Sequence, residues 1–224
     1  MTRRARIVRI IGFIALALIV ALSLAGFIGW RKWHAVPGYW HVAAKGTEAD
    51  AARAERFENW VASEFTTVRP SPAPIWSIQL NADQINQWLV EQMPRWAANQ
   101  NIKLPTWLEH PMVAMEHDRL IVAAQVRRGE LTQIVSLVYR PSTRKNGPVE
   151  LDLVTIRGGT LGLPAGALMD VMLEQVQPDE REKLRSQLQH IPLRIKLSDK
   201  RHVVVEQMIV ESGSVTMRCR TEGK

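Results

Sequence analysis

The chain has 224 residues, 46% of them apolar, a single cysteine, and a formal charge of +7 from 29 basic and 22 acidic side chains. Six of the basic residues (Arg3, Arg4, Arg6, Arg9, Arg31 and Lys32) flank one apolar run, so the remainder is nearly neutral and lacks the basic stripe of a phosphate-backbone binder; nucleic acid is excluded as a partner. One cysteine excludes an internal disulfide, so the fold must be held by burial, and Cys219, closing the alternation Val215, Met217, Cys219, reads as a small core residue.

The first element is the run from Ile10 to Trp30, which contains no charged side chain. A helix needs roughly 20 apolar residues to cross a hydrocarbon core of about 30 Å, so residues 1–34 read as a short cytoplasmic N-terminus followed by a transmembrane anchor. Four arginines before the run outweigh the two basic residues after it, which places the main domain outside the cytoplasm, periplasmic if the cell is Gram-negative. Ser23-Leu24-Ala25 before Gly26 also fits a cleaved signal peptide. Phe27, Ile28 and Trp30 continue the apolar run past that point, and Trp30, Trp33, Tyr39 and Trp40 suit an interfacial belt, which favours the uncleaved anchor.

Residues 35–74 read as a membrane-proximal unit. Thr47-Glu48-Ala49-Asp50 resembles a capping box and opens a helix of roughly 18 residues with Phe57, Trp60, Val61 and Phe65 on one face. The proline-rich stretch 69–74 ends it. Residues 75–224 then read as one extracytoplasmic α+β domain. Trp76, Ile78 and Leu80 alternate with polar residues as a strand, and Asn81 caps a helix over 82–96 that Pro94 should kink or end.

Beyond Trp107 the aromatic content falls and short alternating runs take over: 112–116, 120–127, 131–140, 149–157, 193–198, 202–210 and 214–220. His117-Asp118, Arg128-Gly129, Asp199-Lys200 and Ser212-Gly213 are hairpin connections, so an antiparallel meander is expected. Arg140 to Lys145 reads as a solvated loop. Gly162-Leu163-Pro164 reads as opening a helix that carries Leu168, Val171, Met172 and Leu173, and Pro178 opens a charged one. Runs such as Ile134-Val135 and Val203 to Val205 are apolar on both strand faces, which fits a core, a second layer or an apolar cavity.

Ile78 to Leu89 (strand, Asn81, then Ile85-Asn86 and Leu89) and the strand from Val149 ending in Gly159-Thr160-Leu161-Gly162-Leu163-Pro164, together with the anchor, resemble the YpmS-like family of single-span membrane proteins. More distantly they resemble bacterial domains related to tubular lipid-binding (TULIP-like) proteins. The resemblance covers about residues 75–220 and implies a long antiparallel sheet curled around helices, with a groove that accepts acyl chains.

No catalytic constellation is present. The six histidines are scattered without a metal-ligand spacing, no nucleophile elbow or phosphate loop exists, and Gly158-Gly159 falls short of a dinucleotide motif. Glu150 and Asp152 share a strand face where solvated carboxylates are ordinary. No metal, cofactor or enzymatic activity is expected. Two readings remain open. In the first, a lipid or other apolar ligand lies between sheet and helix against Trp88, Leu89, Val135, Leu137, Leu151, Leu153, Leu161, Leu163 and Leu168. In the second, the same surfaces are core and the protein is an anchored scaffold with a partner protein in an envelope assembly.

Overall fold

In the computed structural model the described residues are 3–42, 46–69, 75–143, 147–166, 169, 178–197 and 199–223, with side chains described except at 3–17, 128, 178–180, 183 and 184. The proline-rich stretch 70–74 and Leu168, Val171, Met172 and Leu173 therefore lie outside the description. The chain is α+β with large antiparallel sheets. Helix α1 (Arg3–His34) is continuous, and its described apolar side chains from Leu18 to Ile28 stand exposed. Among the described residues no helix is long and apolar enough to cross a membrane; residues 10–17, eight of the 21 in the expected span, have no described side chains.

Helix α2 (Glu48–Thr66) begins where the capping box predicts, with Asp50 accepting from the Thr47 N–H at 2.7 Å and its hydroxyl at 2.9 Å. The Arg53 guanidinium beside Asp50, with these Thr47 donors, holds its carboxyl down at about 2. A depressed folded pKa contributes stability above the unfolded value near 3.8 that is lost as pH falls through about 2. Acid titration from pH 4 to 2 is thus expected to expose the amides of the first turn of α2, and Asp50→Asn should abolish that step. Amide exchange at Thr47 reads the outcome.

Strand β1 (Trp76–Asn81) leads into α3 (Ala82–Glu91), and α4 (Met93–Asn99) follows after a break at Gln92. Pro94 sits in the first turn of α4, the one part of a helix where its missing N–H costs nothing, so the break comes two residues before the proline. Strands β2 (Leu108–Glu116), β3 (Arg119–Arg128), β4 (Leu131–Thr143), β5 (Val149–Gly158), β6 (Leu161–Pro164) and β7 (His190–Pro192) form a six-stranded sheet. Helix α5 (Pro178–Gln189) precedes β7, and β8 (Arg194–Lys196), β9 (His202–Glu211) and β10 (Ser214–Glu222) join β1 in a four-stranded sheet ordered β1-β10-β9-β8.

All four expected hairpin turns form, each with a left-handed residue: Asp118, Gly129, Lys200 and Gly213. Two expectations are corrected. Leu161–Pro164 is a strand paired with Thr155 to Gly158, because Gly159 at φ 57° supplies a fifth tight turn; helix begins only after it, at Ala165. Arg140 to Thr143 belong to β4, paired with Asp152 to Val149, and Arg140 reaches Asp118 at 3.0 Å.

The two sheets meet at Leu193, whose N–H donates to Val149 O at 2.9 Å and whose carbonyl accepts from the Val205 N–H at 3.0 Å. A second seam ties the β2–β3 turn to the β9–β10 turn through Asp118 N–H to Val210 O (3.2 Å) and Gly213 N–H to Met115 O (3.0 Å). Between the sheets lies the main core, with Ile78, Val203, Val205, Val215, Met217 and Cys219 among its members. Met112, Ala114, Ile121, Ala123 and Val138 on the opposite face of the six-stranded sheet form a second core, covered by Tyr39 and Trp40. The middle strands are therefore apolar on both sides because a core packs against each, with Val122 of β3 left open on the inner face.

Candidate functional site

Cross-strand register places one side chain from each of five strands in a row on the inner face of the six-stranded sheet: Val113, Val122, Leu137, Ile156 and Leu163. The adjoining row is Ala124, Val135, Gly158 and Leu161. Residues directly opposite on antiparallel strands point to the same face, so these rows are one apolar surface. Its two flanks are covered. Val113 packs with the main core on one side. On the other, Ile156 is buried under Ala165 and Met169, with Val135, Leu137, Leu153 and Leu188 around it. Between them Val122 remains 39% exposed. An apolar residue second in a five-strand row, open between two packed clusters, marks a strip that the described residues leave unfilled.

Four of the expected lining residues, Val135, Leu137, Leu161 and Leu163, lie in these two rows. Leu153 joins the same cluster as Val135 and Leu137, and Leu151, two residues before it on β5, is buried. Trp88 is placed elsewhere: its indole N–H donates to Glu58 of α2 at 2.9 Å and its ring meets Trp96 edge-on at 6.3 Å. It joins helix to helix, because α2 occupies the side of α3 on which it projects. Leu89 is half-buried on α3, and Leu168 lies outside the described residues.

One end of the strip is closed by the end of α1. A Cβ at Gly158 would strike the Trp33 ring, and one at Gly159 would strike the Trp33 carbonyl oxygen and come within 2.6 Å of Ala35 O and 2.7 Å of Lys32 O. The helix lays its last carbonyls on this diglycine and has them capped there: Lys32 O accepts from the Thr160 N–H (2.8 Å) and hydroxyl (3.0 Å), and Trp33 O from the Gln133 amide (2.6 Å). Unsatisfied C-terminal carbonyls need such partners. The chain then passes to the outer face, where Tyr39 donates to the buried Ser136 hydroxyl at 2.9 Å. Gly158-Gly159 thus serves as a seat for the helix, a role that tandem glycine alone does not disclose.

Residue 86 is a second feature the sequence left unread. The Asn86 side chain accepts from the Val113 N–H at 2.6 Å and donates to the Val113 carbonyl at 2.8 Å, taking the place of a missing neighbour strand on the free edge of β2. Helix α3 is locked onto the sheet beside the strip by this pair. At the other end of α2, the buried Arg201 donates to the carbonyls of Thr66 (2.8 Å) and Thr67 (3.1 Å) and to Asp199, whose carboxyl it holds below its ordinary range.

Two further places gather polar or aromatic side chains. Glu150, Asp152 and His190 bring one ligand atom each within 4.8 Å of one another, a grouping formed across β5 and β7 that linear spacing could not show. His190 Nδ1 already lies 2.6 Å from Asp152, and Arg140 pairs opposite Asp152 in the register, so the geometry there is that of a surface ion cluster. A groove of about 500 Å³ runs between α2 and α3, with Arg53, Arg56, Phe57, Trp60, Asp83 and Gln84 along it. No protein-family model, curated protein or solved structure matches this chain.

Proposed function

We propose that this chain is a single-span membrane protein whose extracytoplasmic domain holds a lipid or other apolar ligand on the open strip of its six-stranded sheet. The observation that carries the reading is Val122, 39% exposed between two packed clusters in an apolar row, beside the row in which Trp33 of the anchor helix seats on Gly158. Binding of this kind needs apolar surface and few polar groups, which suits a chain with no catalytic constellation. On this reading the two sheets, joined through Leu193, act as one long sheet curled around α3, as the YpmS-like and tubular lipid-binding resemblance implies. The exposed apolar side chains of α1 from Leu18 to Ile28 support its role as the anchor, since a helical stretch without a polar face is stable in lipid and not in water.

Native mass spectrometry with lipid extraction on residues 31–224, prepared without detergent, tests this. A stoichiometric acyl-chain species is expected with the natural sequence and its loss with Val122→Glu, at unchanged folding, because a half-exposed position tolerates the charge while the ligand does not. A clean apo mass with no thermal shift on adding phospholipid overturns it. A second reading, an anchored scaffold, draws on the aromatic groove between α2 and α3; a protein partner lost on Trp60→Ala would favour it.

A further inference from the structure

The end of the six-stranded sheet at which α1 departs carries its own exposed apolar cluster. Register puts the start of β2, the end of β3, the start of β4 and the end of β5 together there: Leu108 opposite Val126, Arg128 opposite Leu131, and Val135 opposite Gly158. Trp107 is fixed to this end by its carbonyl, which accepts from the Arg127 N–H at 2.9 Å. Leu131 is 70% exposed and Trp107 52% exposed, and Ile102 and Leu104 on the preceding loop are also exposed. Lys103, Arg127 and Arg128 lie among them in the sequence, with Arg127 partnered by Glu109 and Glu130 the one acid in the turn. Trp and Leu flanked by Lys and Arg are the composition of a surface that rests at the headgroup level.

We infer that this sheet end, with Trp107 and Leu131 at its tip, is a second membrane contact that sets the open strip against the outer leaflet. The inference rests on the anchor reading, since it is the seat of Trp33 on Gly158 and Gly159 that brings the tip beside the membrane-side end of α1. The occupant is the lipid bilayer: the tip is continuous with the anchor's docking contact, two residues along β4 from Gln133, and its excess charge is basic. The strip then stands over that leaflet beside the tip, and its ligand is a lipid of that leaflet.

Site-selective labelling of the full chain tests this. Cys219 is fully buried, so an NBD group can be attached to Leu131→Cys, or to the control Ile209→Cys, with the native thiol left in place. Ile209 is 46% exposed and pairs with Thr216 beside the β9–β10 turn, which is tied to the opposite end of the sheet. That end lies roughly 30 Å from the tip at about 3.3 Å of rise per residue. The protein is reconstituted in phosphatidylethanolamine and phosphatidylglycerol vesicles carrying a headgroup-level spin label, and flotation is read alongside fluorescence. Quenching at 131 with none at 209, and its loss when Trp107→Asp and Ile102→Asp are added, is the expected result. Flotation with equal or absent quenching at both sites overturns the tip contact and leaves the anchor intact; failure to float overturns the anchor, and the tip contact with it.

Discussion

Gly159→Ala is expected to lower stability by roughly 3 kcal/mol and to release the segment between α1 and α2 from the sheet, because two costs fall on one residue. The first is conformational: φ is 57° here, and a side chain in the left-handed region costs about 1–2 kcal/mol. The second is steric, since the new methyl would meet three backbone carbonyl oxygens, those of Lys32, Trp33 and Ala35, which cannot rotate away as a side chain could. Relieving the clash means lifting the end of α1 from Thr160 and Gln133, which leaves its last carbonyls uncapped and draws Tyr39 off Ser136. Urea unfolding with limited proteolysis over residues 35–42 reads both effects. An unchanged midpoint with an uncut segment would mean that the diglycine is not the seat described.

Asn86→Leu is the other large effect, also roughly 3 kcal/mol, since each buried group stripped of its partner costs about 1–3 kcal/mol and the change strips two. Leucine has the heavy-atom count and branching of asparagine, so no cavity opens and what is lost is the polar pairing with the Val113 N–H and carbonyl, at 2.6 and 2.8 Å. Amide exchange at Val113 should accelerate towards the rate of an open strand edge, with the effect confined to β2 and α3. The uncovered edge of β2 should also associate, as unpaired edges do, raising light scattering in the variant. Gln87→Leu, one residue along on the half-buried side of α3, should leave Val113 exchange unchanged. Protection at Val113 that survives Asn86→Leu would remove Asn86 from the role assigned to it.

Both residues stand in plain view in the sequence, but their roles do not, for the same reason. In the sequence Asn86 is one polar residue among several in a strand-then-helix pattern, and Gly158-Gly159 reads as a turn and as a fragment of a nucleotide motif. What each does depends on a partner 27 residues away in one case and more than 120 in the other, and no local period encodes that. The grouping of Glu150, Asp152 and His190 was hidden likewise, because cross-strand neighbours are set by register. Trp88, expected between sheet and helix in the ligand reading, faces α2 instead. Periodicity defines an apolar face but not which neighbour covers it, and here α2 does.

Much was nonetheless readable from residues in order. The apolar run before Arg31 and Lys32, the capping box at Thr47, the alternation of β1 and the four left-handed hairpin turns are local matters of hydropathy, side-chain hydrogen bonding and φ preference, and such preferences act before any tertiary contact exists. The expected apolar lining from Val135 to Leu163 also came together in good part, because strands joined by tight turns have little freedom of register and a shift by one residue would turn every side chain to the wrong face. Tertiary structure alone decided which apolar residues became core and which stayed open. Val122 and Val138 are both valines on central strands, yet one is buried under Tyr39 and Trp40 and the other stands open between two packed clusters. Burial is set by what the rest of the chain brings to each face, and here that was settled by where α1 ends, on two glycines too small to hold it off.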